Sequence, residues 1–417
     1  MKVLVVGGGG REHAIVDAIS RSPRCPQIFC APGNAGIAEQ ATCVAIKDTD
    51  VQGLLDFALS EGVDLTVVGP EAALSVGIVD AFRAAGLRIF GHTKSATRIE
   101  SSKEFAKILM EKYDIPTAGY KSFTSYAEAL AYVSLRPFPA VLKYDGLAAG
   151  KGVVIAQNLE EAAAALKDML IGEAFGKGKV VIEDYLEGPE FSFMAFVDGY
   201  NVYPMPLAQD HKRAFDGDKG PNTGGMGAYT GLPFINDEDV AFAYEKILKR
   251  TAYAMVSEGC PLSGVLYGGL MKTPWGIKVI EFNARFGDPE TEVVLPLLDS
   301  DACDIFASVA CGNDPQPLVW SDDITMGVVM ASNGYPGSYS KGFEIDCSEA
   351  GERIFHMGTA IKDGKLVTNG GRVLMTVARA ATVAEAKEKA YAAVHAIKCD
   401  NLFYRSDIAH WALEKQQ

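Results

Sequence analysis

The chain has 417 residues, enough for two to four domains at about 100–200 residues each and for a buried core that needs no covalent staples. Hydrophobic residues at 48% and charged residues at 22% exclude a disordered or coiled-coil chain. With 39 Lys+Arg against 53 Asp+Glu, the net charge of −14 excludes general affinity for nucleic acid or anionic membrane, although a local basic pocket can still hold a phosphate. No apolar run reaches the roughly 18 residues of a membrane helix, and the apolar start is shorter than a secretory signal. The cysteines are scattered with no Cys-x-x-Cys pair, so reduced thiols in a cytoplasmic protein are expected.

From the N-terminus, short apolar runs at Lys2–Val6, Gln27–Cys30, Val44–Ile46, Asp64–Val68 and Arg88–Phe90 alternate with helically spaced Arg11–Ser20, Val51–Glu61 and Ala72–Ala85. That alternation predicts an α/β fold, a doubly wound parallel sheet with its ligand loops at the carboxyl ends of the strands. Those ends read Gly7-Gly8-Gly9-Gly10-Arg11-Glu12-His13, Ala31-Pro32-Gly33-Asn34-Ala35-Gly36 and Gly69-Pro70-Glu71. A helix over Lys94–Tyr113 follows. Strands Ala140–Tyr144, Gly152–Ala156 and Val180–Tyr185 then surround a helix at Leu159–Leu170, and a strand at Phe191–Val197 comes next. Gln209–Gly227 reads as a long polar loop, of a length that is usually functional. Beyond it lie a helix over Asp237–Glu258 and strands Gly264–Lys272 and Gly276–Asn283. The last piece has strands Met326–Met330, Arg353–Ile361 and Val373–Ala378 and a helix Val383–Ile397.

Three clusters carry chemistry. The opening glycines fail the dinucleotide pattern, because Glu12 or His13 stands where its third glycine belongs and no acid ends the second strand. What remains is a helix N-terminus able to hold a phosphate, with Arg11 beside it, or simply a tight turn. Lys143-Tyr144-Asp145-Gly146 through Gly150-Lys151-Gly152 brings a lysine on a strand into a glycine turn that can approach a polyphosphate. It is not a P-loop, since Gly152 replaces the Ser or Thr. In the third, Glu281 and Asn283 share one face of a strand and present two hard oxygen ligands suited to Mg²⁺, with Arg285 in the same parity. The histidines show no metal-ligand spacing, and no nucleophile elbow is present.

These clusters stand in order with Ala-Pro-Gly-Asn-Ala-Gly, Val-Val-Gly-Pro-Glu, Gln-Asp-His-Lys-Arg, Gly-Pro-Asn-Thr-Gly-Gly-Met-Gly and Asn-Ala-Arg-Phe-Gly-Asp-Pro-Glu-Thr-Glu, and the resemblance runs through Thr-Asn-Gly-Gly-Arg-Val near the C-terminus. The whole chain closely resembles the glycinamide ribonucleotide synthetase family of ATP-grasp ligases. The resemblance implies ligation of glycine to 5-phosphoribosylamine through glycyl phosphate in purine biosynthesis, using ATP with one or two Mg²⁺ or Mn²⁺ ions, by a cytoplasmic monomer or weak dimer. It also implies four pieces: an N-terminal substrate domain at 1–101, a catalytic core at 102–118 and 188–324, a lid at 119–187 and a C-terminal α/β domain at 325–417. By resemblance Lys103 and Lys143 contact nucleotide phosphates and Gly146–Gly152 close over them. Glu183, Asp184, Tyr185 and Leu186 form the adenine hinge, and Glu190 takes the nucleotide ribose. Glu281 and Asn283 hold metal. Asp210, Arg285, Gly287 and Asp288 lie near glycine and the acyl phosphate. Gly9, Gly10, Arg11, Asn34 and Glu71 form the phosphoribosylamine site. The chain departs from the family at Gly8, where Asn is common, and at His92, where Pro is usual. Pro189 and Phe191 flank Glu190, and Thr-Gly-Leu-Pro follows Met-Gly-Ala-Tyr. The competing expectations are an ATP-grasp ligase or carboxylase for another purine intermediate, and a nucleotide-binding regulator without turnover.

Overall fold

The computed structural model describes all residues except 25–26, 147–151, 173–177 and 415–417. Five parallel strands, β1 (Lys2–Gly7), β2 (Gln27–Pro32), β3 (Thr42–Cys43), β4 (Leu65–Val68) and β5 (Ile89–Phe90), run in the order β3-β2-β1-β4-β5. Val3, Leu4, Val5 and Val6 are all solvent-free, as a strand covered on both faces requires. The strand expected at Val44–Ile46 is Thr42–Cys43 instead; Val44 gives one last bond to the Cys30 carbonyl before the chain leaves the sheet. The single helix expected over Ala72–Ala85 is split into Glu71–Ser75 and Ile78–Ala84 by Gly77, whose φ of 90° suits only glycine cheaply. The helix expected over Lys94–Tyr113 is likewise two, Arg98–Ser101 and Lys103–Lys112. Extended Ser102 separates them and caps the second through the Phe105 N–H.

Next comes a four-stranded antiparallel sheet, β6 (Tyr120–Phe123), β7 (Ala140–Tyr144), β8 (Val153–Ala156) and β9 (Val180–Asp184), ordered β6-β9-β7-β8. Helices Tyr126–Val133 and Leu159–Leu170 bury Ala129, Val133, Ala162 and Leu166 against Leu142, Ala156 and Val180, so this unit has its own small core. β6 and the helix after it go beyond the predicted elements.

The remaining strands are β10 (Glu190–Asp198), β11 (Asn201–Pro204), β12 (Ala208–Asp210), β13 (Arg213–Phe215), β14 (Lys219–Asn222), β15 (Gly227–Thr230), β16 (Ser263–Thr273) and β17 (Gly276–Asn283), then β18 (Ile324–Ser332), β19 (Arg353–His356), β20 (Thr359–Lys362), β21 (Lys365–Thr368), β22 (Arg372–Ala380) and β23 (Leu402–Phe403). Ten of them form one sheet, β17-β16-β10-β12-β15-β18-β22-β19, with β11 on β10 and β23 on β18. The C-terminal strands therefore extend the sheet of the preceding core. The strand expected over Arg353–Ile361 turns at Met357-Gly358, and its second half pairs with β21.

Gln209–Gly227, expected as a loop, holds the end of β12, the hairpin β13–β14 and the start of β15. The hairpin is braced from the far end of the chain. Arg405, solvent-free, donates to the Arg213 carbonyl at 3.1 Å and to Asp218 at 2.9 Å while pairing with Asp407 at 2.7 Å. His92 staples the N-terminal sheet to β16: its Nδ1 accepts from Ser263 N–H at 2.9 Å, which leaves Nε2 to donate to the Val265 carbonyl at 2.8 Å. Burial pushes its pKa down to about 4, so the ring stays neutral. Phe191 is part of the main core. No helix among the described residues is long and apolar enough to cross a membrane.

Candidate active site

Lys143 leaves β7 toward the large sheet and donates to the Ile280 carbonyl on β17 at 2.8 Å. Its Nζ is also 3.0 Å from Glu183 Oε1 on β9, close enough for an ion pair but off the line of a hydrogen bond. Lys103, first in its helix, donates to the Gly146 carbonyl at 3.0 Å. Gly152 accepts from Tyr144 N–H at 2.7 Å; Gly150 lies outside the described residues. At the expected hinge Glu183 is buried, Asp184 pairs with Arg136, Leu186 is half-buried, and Tyr185 and Glu190 are exposed. A crevice thus runs between the four-stranded unit and the large sheet, entered by lysines from both sides.

The floor of the crevice is one face of neighbouring strands. Ser192 on β10 stands opposite Gly269 on β16, and Gly269 opposite Glu281 on β17. A Cβ at Gly269 would lie 3.2 Å from the Glu281 side chain, so the glycine keeps this face open. A cavity of about 20 Å³ there is lined by Glu190, Ser192, Asp210, Lys212, Tyr267 and Glu281, among others. Glu290 accepts from Ser192 at 2.9 Å and from Tyr267 at 2.7 Å. Asp210 keeps one buried carboxylate oxygen without a hydrogen-bond partner, and its other oxygen is 3.3 Å from Lys212 Nζ. Burial, with Glu290 and Glu190 adding repulsion against the pull of Lys212, raises its pKa to about 7.

Glu281 has the opposite character. Burial alone would raise its pKa, but Lys212, Lys143, Lys103 and Arg285 outweigh it and hold the carboxyl below its usual range. No hydrogen-bond or ion-pair partner engages this carboxylate among the described residues. An acid with no partner among the described residues, held ionised by four cations, is an unusual arrangement in a protein of net charge −14. Asn283 accepts one bond, from Arg285 at 3.3 Å, which leaves a lone pair on its amide oxygen.

Several residues expected to share one substrate site are separated. Arg11 and Glu71 do not line the glycine-loop cavity; they join an ion cluster between domains. Arg11 lies 2.6 Å from Glu12 and 3.8 Å from Glu71, and Arg285 lies 3.4 Å from Glu71 and 3.1 Å from Glu100. Burial would lower the Arg285 pKa, but Glu100 and Glu71 raise it, so it is a permanent cation. Gly9, Gly10, Asn34 and Asp288 instead line a cavity of about 350 Å³ together with Thr359 and Arg372. Arg372 is 2.8 Å from Asp288 and donates to the Gly224 carbonyl at 2.7 Å. Asp288 thus lines this cavity, while Asp210 lines the smaller one. Asn34 spends its whole side chain on structure. It donates to the Gly8 and His356 carbonyls and accepts from Gly36 and Ile37 N–H, so it shapes the loop rather than offering a free amide. Gly8 must be small because a Cβ would come within 2.6 Å of the Gly33 carbonyl oxygen. At Gly287 the nearest neighbour of an added Cβ would be the Glu290 side chain, at 2.5 Å.

Lys107, Glu100, Lys212, Tyr267, Glu290 and Arg372 were not singled out by sequence. Arg372 had a visible signal, the glycines of Thr368-Asn369-Gly370-Gly371-Arg372. Tyr267 and Glu100 sit in ordinary apolar or polar context and had none.

A four-stranded antiparallel unit joined to a large sheet through Lys143, with Lys103 reaching it from the adjoining helix, is the arrangement of an ATP-grasp protein. The chain matches the N domain of the phosphoribosylglycinamide synthetase family over residues 1–100, its ATP-grasp (A) domain over 101–291 and its C domain over 325–411, and it belongs to that family. It is 51% identical over 421 residues to a phosphoribosylamine–glycine ligase of Halalkalibacterium halodurans, covering 100% of this chain and 98% of the relative. A crystal structure of a phosphoribosylamine–glycine ligase from Thermotoga maritima superposes with a TM-score of 0.87 at 35% identity, over 98% of this chain and 100% of that one. A biotin carboxylase–ATP complex from Campylobacter jejuni shares the fold, with a TM-score of 0.74 at 12% identity over 99% and 95% of the two chains.

Proposed function

We propose that the protein ligates glycine to 5-phosphoribosylamine, converting ATP to ADP and phosphate and yielding glycinamide ribonucleotide for purine biosynthesis. The observation that carries this reading is Glu281, a charged carboxylate with no hydrogen-bond or ion-pair partner among the described residues, amid Lys103, Lys143, Lys212 and Arg285, with Asp210 across a small cavity. A triphosphate satisfies the cations, and a divalent ion satisfies the acid. Glu281 and the Asn283 oxygen fit such an ion. The described residues hold no cluster of three His, Cys, Asp or Glu, so phosphate and water supply the remaining ligands, as is usual for Mg²⁺ or Mn²⁺. When bound, the ion neutralises charge on the phosphates.

The chemistry runs in two transfers. A glycine carboxylate oxygen bonds to the γ-phosphorus as its bond to ADP breaks, and the sugar amine then bonds to the glycyl carbon as phosphate departs and the amine loses a proton. Lys103 and Lys143 hold the nucleotide phosphates, with Gly146 and Gly152 beside them. Glu183 through Leu186 flank the adenine, and Glu190 faces the ribose. Asp210 takes the glycine ammonium on its unpartnered oxygen, with Lys212 to hand for the transferring group. Gly9, Gly10, Asp288 and Arg372 receive the phosphoribosylamine, while Arg11, Glu71 and Arg285 tie that domain to the floor. Residues 119–187 act as the lid, 102–118 with 188–324 as the core, and 1–101 with 325–417 close the sugar side. The protein works in the cytoplasm as a monomer or weak dimer.

ADP release measured with freshly generated phosphoribosylamine tests the function. It should require glycine; turnover with bicarbonate or formate in place of glycine overturns the substrate assignment. A pH series tests Asp210. Its acid form, which dominates below about 7, cannot hold an ammonium group, so the glycine KM should fall as pH rises through that value. A glycine KM that is flat from pH 6 to 8 in wild type removes Asp210 from the glycine site.

A further inference from the structure

Beneath the crevice, two buried ammonium groups share one carboxylate. Lys107 Nζ lies 2.9 Å from Glu183 Oε2 and donates to Thr117 Oγ1 at 2.8 Å, and Thr117 donates on to the Val279 carbonyl at 2.8 Å. Lys143 approaches the other oxygen, Oε1, at 3.0 Å without hydrogen-bond geometry. The three side chains are at most 5% exposed, so water does not screen them. They carry one net positive charge. Lys107 is anchored through Thr117 and Lys143 through the Ile280 carbonyl, and both approach Glu183 as ion pairs. Burial, with the pull of Glu183 opposed by the repulsion of Lys143, brings the Lys107 pKa down to about 8, which reflects the same crowding.

We propose that Lys107 is a positioning residue for nucleotide binding: by holding one oxygen of Glu183, it keeps Lys143 available to a phosphate. The proposal rests on the reading of Lys143 as a phosphate contact. Without Lys107, Glu183 and Lys143 would be a desolvated one-to-one pair. Glu183 could then turn both oxygens onto Lys143, and any phosphate drawing Lys143 away would leave a buried carboxylate with no counter-charge. With Lys107 present, Glu183 stays neutralised when Lys143 moves.

The test uses the full chain, with ATP varied at saturating glycine and phosphoribosylamine. Lys107→Met should raise the ATP KM about tenfold or more and leave the glycine KM within about threefold. In a Glu183→Gln background, where the competing charge is gone, the same Lys107→Met change should raise the ATP KM by no more than about threefold relative to Glu183→Gln alone. Lys107→Arg, which keeps the charge, should stay close to wild type. A merely structural lysine would show the same defect in both backgrounds. If Lys107→Met does not fold, Lys107→Gln, which can still bond Thr117, is used in its place. An unchanged ATP KM in the single variant, or an equal rise in the Glu183→Gln background, overturns the proposal. If Lys143→Met also leaves the ATP KM unchanged, the phosphate reading of Lys143 has failed, and the proposal falls with it.

Discussion

Glu281→Ala should abolish glycine-dependent ADP formation while leaving a folded protein. The carboxylate is the only charged oxygen that β17 offers to the crevice beside Asn283, and four cations keep it ionised. Removing it takes away the anchor for the divalent ion and lets the lysines crowd without an intervening negative charge, so the loss should be on the order of 10³-fold or more in kcat. Glu281→Gln keeps the shape and one acceptor but not the charge, and it should be nearly as inactive. Because no protein group hydrogen-bonds this carboxylate among the described residues, its removal orphans no buried donor. The melting temperature should therefore move by only a few degrees, as read by circular dichroism. Full activity in Glu281→Ala would defeat the metal assignment.

Lys143→Met should weaken use of ATP about a hundredfold in kcat/KM, through loss of one charge-assisted contact in a site closed to water. The variant does not leave Glu183 alone, since Lys107 remains 2.9 Å from it, so a folding defect should not masquerade as a binding defect. The glycine KM should stay near wild type. ATP saturation curves that do not change would remove Lys143 from the nucleotide site.

How much of this was legible in sequence depended on range. Glu281 and Asn283 lie two apart on one strand, and a period of two is a local property, so their shared face could be read directly. The same holds for the apolar β1 and the glycine turn after it. Gln209–Gly227 hid its strands because each is three or four residues long, broken by Asp216-Gly217-Asp218, and supported by Arg405 from almost two hundred positions away. Parity also placed Arg285 beside Glu281, but it could not show Glu71 and Glu100 waiting to neutralise it. Nor could it show Asp288 meeting Arg372 across two different pieces of the chain. Ion clusters built from distant segments leave no periodic trace, and that is where the expected site was redrawn.

The most direct measurement is a crystal grown with a non-hydrolysable ATP analogue and Mn²⁺, using anomalous scattering at the manganese edge. The peak should stand within about 2.0–2.3 Å of a Glu281 carboxylate oxygen and the Asn283 amide oxygen, with the triphosphate reaching Lys103 and Lys143. A triphosphate bound with its ion remote from that acid–amide pair would contradict the assignment of this crevice as the place where glycine is activated.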